Sequence, residues 1–252
     1  MTPALELTGA RVRRNGRLVL EDGALSVAAG EVIGVVGANG AGKTTLLRAA
    51  LGLARLETGS AQLGGRDVQG LSDAERAARA AYLPQERRVG WNLPAWRVAS
   101  LGAPLQDPGH ARTAGLEALQ RVGLSGLENR GVLDMSGGER ARALLARLLA
   151  AGAPLLVADE PAAGLDPDAQ LLALDLFREE AQRGAAVVLT LHDLSLAARA
   201  CDRLVVLHEG RVVADAGPRQ ALTPAVLDQA FGLDGSLADT PAGPVVAARR
   251  KP

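Results

Sequence analysis

The sequence predicts an α/β fold in which a parallel-sheet core carries an N-terminal antiparallel β portion and an inserted helical subdomain. Residues 32–53 read as an apolar strand, a glycine loop and a helix, the opening βα unit of a parallel sheet. Strand and helix patterns alternate again over 155–200, whereas residues 84–150 are mostly helical in pattern. We therefore expect one domain over 1–240, with a helical subdomain inserted at about 84–150, and a loose C-terminal tail at 241–252.

The individual elements follow in order along the chain. Short β-rich runs separated by glycine-containing turns indicate antiparallel strands near the N-terminus, as at 18–27 and 31–36. Residues 204–213, with Glu209-Gly210 at their centre, predict a β-hairpin, and beyond Pro218 a short helical tail leads to the loose end. The core elements predicted between these regions are strand 155–158, helix 168–182, strand 186–191 and helix 194–200.

Composition restricts the function classes. The 252 residues are 48% hydrophobic, which is ample for a packed core, and their formal charges balance at zero. A protein that binds nucleic acid would carry a basic excess, so we expect no nucleic-acid partner. The single cysteine, Cys201, reads as a buried helix end; it excludes an internal disulfide and fits a reducing compartment.

Two observations bear on membranes. The N-terminus lacks a basic segment followed by an apolar one, so we expect no secretion signal. The most apolar region, 144–158, is interrupted by Arg147 and Pro154 and is too short to cross a bilayer. If the protein serves a membrane, we expect it to do so from one side.

The stretch GANGAGKTT, residues 37–45, matches the phosphate-binding pattern G-x-x-x-x-G-K-[ST] between a predicted strand and a predicted helix. Its glycines let the backbone wrap phosphates, Lys43 supplies a cation, and the Thr44 hydroxyl can bind Mg²⁺. The alternative is a chance glycine turn, but lysine occurs only at 43 and 251. We therefore predict a bound nucleotide with Mg²⁺, held by Gly37, Asn39, Gly40, Gly42, Lys43, Thr44 and Thr45; the resemblance given below implies that this nucleotide is ATP.

The stretch LLVADEP, residues 155–161, brings two acids to the carboxyl end of an apolar strand. Ligands of open α/β sheets bind at that edge. Asp159 is placed to hold Mg²⁺, and Glu160 to orient and polarise an attacking water. Alone, such a pair would be an ordinary solvated turn; the phosphate-binding loop upstream favours the catalytic interpretation.

A third motif, Ser136-Gly137-Gly138-Glu139, opens a long Ala/Leu/Arg helix pattern. Ser136 and Glu139 have the spacing of a capping box, in which the glycines would only shape the turn. Alternatively, the glycines keep side chains away from the helix N-terminus so that its N–H groups can meet an anion. Both interpretations are open from the residues alone.

Taken in order, these motifs resemble the nucleotide-binding subunit of ATP-binding cassette (ABC) transporters over nearly the whole chain. The resemblance implies the ABC ATPase fold, in which residues 136–139 face ATP held by the phosphate loop of a second copy. It further implies that Gln85 contacts Mg²⁺ and the attacking water, that Asp166 crosses the dimer interface, and that His192 contacts the γ-phosphate. Each has an ordinary alternative: a surface amide for Gln85, a helix cap for Asp166 and a structural histidine for His192.

The sequence departs from the family pattern in two places. The signature reads Met-Ser-Gly-Gly-Glu where Leu-Ser-Gly-Gly-Gln is commoner, and a glutamate near a helix N-terminus is tolerated there. The aromatic residue that the family stacks on adenine is replaced, by spacing to Gly37, by Arg14. The plane of Arg14 could stack on the base, or the RVRRNGR stretch could be a solvated basic turn.

The resemblance also implies partners and location. It implies transmembrane permease subunits, a second copy of the chain, and a periplasmic binding protein reached indirectly, with the ATPase peripheral on the cytoplasmic face of the inner membrane. YLPQ, ASLG and ALTPAVLDQAFGL resemble the ATPases that import iron–siderophore, haem and cobalamin. The alternatives are an ABC ATPase of another cargo, a non-transport cassette ATPase of chromosomes or ribosomes, and a small-molecule kinase. Trp91 and Trp96 either border the permease groove or pack in the core.

Overall fold

The computed structural model describes residues 2–86, 88–104 and 108–251. Within these residues, the strands are β1 Leu5–Arg14, β2 Arg17–Val27, β3 Val32–Gly37, β4 Thr58–Leu63, β5 Arg66–Asp67, β6 Ala80–Leu83, β7 Leu155–Asp159, β8 Ala186–Thr190, β9 Arg203–His208, β10 Arg211–Ala216, β11 Leu233–Thr240 and β12 Gly243–Arg250. The helices are α1 Lys43–Ala50, α2 Asp73–Ala77, α3 Ala95–Ser100, α4 Pro108–Arg121, α5 Gly137–Leu149, α6 Pro167–Gln182, α7 Leu194–Ala200, α8 Pro218–Ala221 and α9 Pro224–Phe231.

The first ten strands form one mixed sheet over the described residues, in the order β5-β4-β1-β2-β10-β9-β3-β8-β7-β6. The strands from β9 to β6 in that order pair in parallel, and β1, β2, β4 and β5 pair antiparallel. The predicted α/β core with an antiparallel N-terminal portion is therefore confirmed. So is the hairpin predicted at 204–213, because β9 and β10 pair antiparallel.

The central strands are buried on both faces, which explains why their sequences are continuous apolar runs. Every residue of β3, β7 and β8 is buried, including Asp159 and Thr190 at the ends of β7 and β8. One hydrophobic cluster packs α3 to α7 against one face, and a second packs α1 and the N-terminal strands against the other. Both faces are thus closed, and the polar residues collect at the carboxyl ends of the parallel strands.

The prediction of a loose end at 241–252 is wrong for most of that segment. Residues Gly243–Arg250 form β12, which pairs antiparallel with β11 from Leu233↔Arg250 to Thr240↔Gly243. The hairpin is attached to α7, since the Val246 N–H donates to Ser195 Oγ at 3.0 Å and Arg199 Nε donates to the Pro244 carbonyl at 3.0 Å. Contacts with a distant helix therefore order a segment that local composition marks as loose.

The longest helix described, α6, has 16 residues. Among residues 2–86, 88–104 and 108–251, the structure contains no helix with the length and apolar character needed to cross a bilayer.

Candidate active site

The phosphate loop lies between β3, at the centre of the parallel sheet, and α1. Gly37 and Gly42 have φ of +156° and +107°, in the region that favours glycine. A Cβ on Gly42 would lie 3.0 Å from the Val19 carbonyl oxygen, and one on Gly37 would collide with the Leu207 carbonyl oxygen. Backbone conformation and close packing therefore both require glycine at these positions.

The N-terminus of α1 faces this loop without a side-chain cap. Its N-cap residue is Gly42, which has no side chain to accept from the first-turn N–H groups. Unpaired N–H groups and the positive end of the helix dipole make such a terminus an anion-binding site. The local sequence thus leaves donors open where a phosphate would bind.

Lys43 is the first residue of α1 and is almost completely buried, with 7% of its surface exposed. Its ammonium donates to the Gly37 carbonyl at 2.8 Å and the Ala38 carbonyl at 3.2 Å, so it lies within the curve of the loop. Burial lowers the pKa of Lys43, and the Glu160 and Asp159 carboxylates oppose that shift. The cation is therefore placed among the loop N–H groups and close to both acids.

Asp159 ends β7 and is fully buried. Its Oδ1 accepts a hydrogen bond from Thr190 Oγ1 at 2.5 Å, and its Oδ2 is buried without a hydrogen-bond partner among the described residues. A buried carboxylate oxygen without a partner is costly, and carboxylate and hydroxyl oxygens are the ligands that Mg²⁺ takes. Asp159 Oδ2 and the Thr44 hydroxyl therefore fit a magnesium ion.

Glu160 has a left-handed backbone with φ of +54°, a conformation that costs a residue other than glycine about 1–3 kcal/mol. Its N–H donates to Thr190 Oγ1 at 2.7 Å. Its side chain is 12% exposed, and Oε1 lies 2.6 Å from His192 Nε2. This turn points the Glu160 carboxylate away from the core and toward His192.

Gly42, Lys43, Thr44, Glu160 and His192 border a cleft of about 650 Å³, whereas Gly37 and the fully buried Asp159 lie behind its lining. It contains most of the predicted nucleotide and catalytic residues and also Val19, which sequence analysis did not single out. The lining residues are Arg14, Val19, Asn39, Gly40, Gly42, Lys43, Thr44, Thr45, Gln85, Glu160 and His192.

Ser136–Glu139 and Asp166 do not line this cleft. The capping box forms: the Ser136 N–H donates to Glu139 Oε2 at 2.8 Å, and the Glu139 N–H donates to Ser136 Oγ at 3.2 Å. The Ser136 N–H, and after it the Ser136 hydroxyl, interact with the Glu139 carboxylate and lower the pKa of Glu139. Asp166 caps α6, accepting from the Ala169 N–H at 2.9 Å. We call residues 136–139 the signature turn.

The signature turn lies next to the loop that precedes Asp166. A Cβ on Gly138 would lie 4.0 Å from the Gly164 carbonyl oxygen, an ordinary van der Waals distance. One chain therefore carries two separate groups of predicted site residues, the cleft and the signature turn with its neighbouring loop.

Thr190 is the main residue that sequence analysis missed. It contacts both acids and yet stands in a strand that otherwise reads as apolar. In the sequence, Thr190 is a single hydroxyl residue at the end of an apolar strand. Its role depends on the pairing Asp159↔Thr190, and the sequence does not show which strands are neighbours in the sheet.

Comparison with known proteins identifies the family. Residues 20–163, more than half of the chain, match the family model described as ABC transporter. The chain belongs to the ABC transporter family. The fold is therefore that of the ABC ATPases, and the resemblance stated from the motifs is confirmed.

Among ABC relatives, the chain is 41% identical to the hemin import ATP-binding protein HmuV of Pseudomonas entomophila over 91% of this chain and 93% of that protein. It is 41% identical to the cobalamin import ATP-binding protein BtuD of Halobacterium salinarum over 94% of this chain. The chain spans 61% of the length of that cobalamin relative.

Solved structures share the ABC fold. An ATP-binding subunit of an ABC transporter superposes with a TM-score of 0.78 at 27% identity, covering 85% of this chain and 90% of that one. A metal-chelate type ABC transporter in an inward-facing conformation gives 0.82 at 22% identity, covering 99% and 98%. At that identity, the second match supports the fold alone.

Proposed function

We propose that this chain hydrolyses ATP to power the import of a metal chelate of the hemin or cobalamin type through separate permease subunits. The observation that carries the ATPase proposal is the cleft, which combines an uncapped helix N-terminus, a buried lysine and Glu160, with Asp159 buried directly before Glu160 in the chain. The names of the hemin and cobalamin import relatives support the cargo class. The ATPase subunit does not itself contact the cargo in this proposal.

In the proposed reaction, the backbone of the phosphate loop and Lys43 bind the β- and γ-phosphates. Asp159, Thr44 and the Gln85 side chain would hold magnesium, which would neutralise charge on the phosphates. Glu160 accepts a proton from the water whose oxygen attacks the γ-phosphorus, and ADP leaves as phosphate forms. His192, 2.6 Å from Glu160, orients that carboxylate before the nucleotide arrives.

The signature turn supports the proposal that two copies enclose ATP. Gly137 and Gly138 have the ordinary right-handed backbone of α5, so their conformation does not require glycine. A Cβ on Gly137 would meet no described atom within 4 Å, and one on Gly138 only a normal contact. The capping box explains Ser136 and Glu139 but not the glycines. Clearance for a phosphate held by a second copy explains the two glycines.

An apolar groove of about 550 Å³ is the proposed contact with the permease. Small side chains of α2 and of the segments after α3 and α5 line it, and Leu101 at its edge is 60% exposed. The two tryptophans differ: Trp91 is 76% exposed, whereas Trp96 is partly buried with the Arg112 guanidinium 4.6 Å from its ring. We therefore keep Trp91 as a permease contact and assign Trp96 to packing.

The chain would then act peripherally, on the cytoplasmic face of the inner membrane, with a periplasmic binding protein delivering cargo to the permease.

Size-exclusion chromatography of Glu160→Gln tests the ATP sandwich. The amide keeps the size of the side chain but cannot accept the proton, so hydrolysis should slow by ~10²–10⁴-fold. This variant should elute as a monomer without nucleotide and as a dimer with ATP and Mg²⁺.

Adding Ser136→Arg places a long side chain in front of α5 and should prevent the dimer while ATP binding in the cleft persists. A double variant that still dimerises on ATP would show that the signature turn faces no phosphate, and the capping box alone would explain it. For the cargo, liposomes that contain the chain and its permease, with the binding protein added outside, should take up hemin or cobalamin only with internal ATP. Uptake of neither chelate would contradict the cargo class and leave the ATPase proposal standing.

A further inference from the structure

Thr190 is a fully buried polar residue at the end of β8, directly opposite Asp159 in the parallel pairing of β7 and β8. Its hydroxyl donates to Asp159 Oδ1 at 2.5 Å and accepts from the Glu160 N–H at 2.7 Å. A hydroxyl has one proton to donate and lone pairs to accept with, so the two bonds are compatible. One side chain therefore contacts the carboxylate of Asp159 and the backbone of Glu160.

The bond to Asp159 determines which carboxylate oxygen stays available. Because Thr190 takes Oδ1, the carboxylate is fixed in rotation and Oδ2 is left without a partner among the described residues. A cation ligand must be oriented before it binds, and the groups that orient it commonly affect metal affinity as much as the ligand itself. Thr190 has the contacts expected of such a group.

The hydrogen bond from the Glu160 N–H to Thr190 Oγ1 holds the backbone of Glu160. Glu160 is in the left-handed region, which a residue with a side chain avoids unless its surroundings hold it. The Thr190 hydroxyl accepts the N–H of that residue, so it helps to hold the turn that aims the carboxylate at His192, 2.6 Å away. Loss of the hydroxyl would remove its hydrogen bonds to the buried Asp159 Oδ1 and to the part-buried Glu160 N–H at the same time.

We propose that Thr190 is a positioning residue for ATP hydrolysis, which orients Asp159 toward the metal and holds Glu160 in its catalytic turn. This inference rests on the proposed function and adds to it a residue outside the motifs of the sequence. Thr190 touches neither nucleotide nor water in the proposal; it acts through the two acids.

Thr190→Val and Thr190→Ser separate the hydroxyl from the shape of the side chain. Valine keeps the shape and loses both hydrogen bonds, whereas serine keeps the hydroxyl. Binding of a fluorescent ATP analogue is measured with Mg²⁺ and with EDTA, beside turnover. For Thr190→Val, we expect the Mg²⁺-dependent gain in affinity and the turnover each to fall by about 10–100-fold, with affinity in EDTA unchanged. Thr190→Ser should keep both.

Val188→Ala is the matched control. Val188 is fully buried two residues earlier on β8, so it lies on the same face of the strand as Thr190. Its truncation should lower the unfolding midpoint without changing the Mg²⁺ dependence. If Thr190→Val does not fold, Thr190→Cys provides a similar volume with a weaker donor and should lose part of the Mg²⁺ dependence.

The inference is overturned if folded Thr190→Val, or Thr190→Cys in its place, keeps the wild-type Mg²⁺ dependence and turnover. It is also overturned if the variant loses affinity equally with Mg²⁺ and with EDTA, because Thr190 then only supports the fold. A wild-type chain that neither binds nor hydrolyses ATP would instead overturn the proposed function, and this inference with it.

Discussion

The cleft and the signature turn both contain glycines at the start of a helix, but the chain uses them differently. In the cleft, Gly37 and Gly42 are required by positive φ and by carbonyl oxygens close to where a Cβ would be. At the signature turn, Gly137 has a helical backbone and open space around its Cβ position. The first pair is explained within one chain. Nothing among the described residues requires the glycines of the signature turn, and this is the physical argument for our proposal that a second copy does.

The two regions also differ in whether a side chain accepts hydrogen bonds from the N–H groups at the start of the helix. The start of α1 has no side-chain cap, and Lys43 adds a cation beside it. The start of α5 is capped by Ser136 and Glu139, and the carboxylate of Glu139 brings negative charge to that end. We therefore expect the cleft to bind ATP by itself and the signature turn to contribute only when a second copy presents its nucleotide.

The largest effect is expected from Lys43→Ala, which removes the cation of the cleft. Turnover should fall by at least about 10²–10³-fold, as for loss of one preorganised donor to a developing charge. Lys251→Ala is the matched control, because Lys251 is the only other lysine of the chain and makes an exposed ion pair with Asp228 at 2.6 Å. A steady-state ATPase assay compares the two. Undiminished turnover in Lys43→Ala would refute the phosphate-loop assignment.

Two glycine substitutions test whether the phosphate loop requires glycine for its own fold while the signature turn does not. Gly42→Ala should lower the free energy of unfolding by about 1–2 kcal/mol, because the new side chain takes a left-handed backbone close to the Val19 carbonyl. Gly137→Ala should leave stability unchanged or raise it by about 0.4–1 kcal/mol, since the site accepts a methyl group. Urea unfolding gives both values.

In the Glu160→Gln background, Gly137→Ala should nevertheless weaken ATP-dependent dimerisation, which size-exclusion chromatography measures. If Gly137→Ala costs as much stability as Gly42→Ala, the glycines of the signature turn have an internal role after all. If it leaves dimerisation intact, the clearance argument fails.

Much of the fold could be predicted from the sequence because its signals are local. A buried parallel strand is a continuous apolar run, and the strand–loop–helix of 32–53 has the required glycines within a few residues of each other. The same locality explains the correct hairpin of β9 and β10, in which Glu209 and Gly210 both take positive φ.

The failures involve contacts between distant segments. Residues 243–250 read as loose because their partner, β11, lies in what resembled a helical tail. Cross-strand ion pairing of Arg249 with Asp234 at 2.8 Å and packing on α7 order the strand. Thr190 was missed for the same reason, since its two bonds cross from β8 to the end of β7 and the residue after it.

The arginines of β1 differ in their side-chain partners. Arg11 and Arg13 both pair with Glu57, at 3.6 Å and 3.1 Å, and Arg13 also donates to the Gly16 carbonyl at 3.1 Å. Arg14 lines the cleft and has no ion pair or side-chain hydrogen bond among the described residues. The sequence left adenine stacking and a solvated basic turn open for Arg14. Unlike Arg11 and Arg13, which pair with Glu57, Arg14 lines the cleft, and this placement favours the stacking interpretation.

The smallest effect is expected from Arg14→Ala. A cation–π contact at an exposed site is worth ~0.5–1 kcal/mol, so ATP binding should weaken only a few-fold. Arg14→Tyr should restore the affinity because it supplies a stacking plane, whereas Arg14→Lys keeps the charge without the plane and should not. Arg13→Ala, on the neighbouring residue already paired with Glu57, controls for loss of positive charge in the strand. Titration with ATP and with a ribose triphosphate that lacks the base separates base contacts from phosphate contacts. If Arg14→Ala binds both as tightly as the wild type, another residue contacts the base, and Val19 at the wall of the cleft is the next to test.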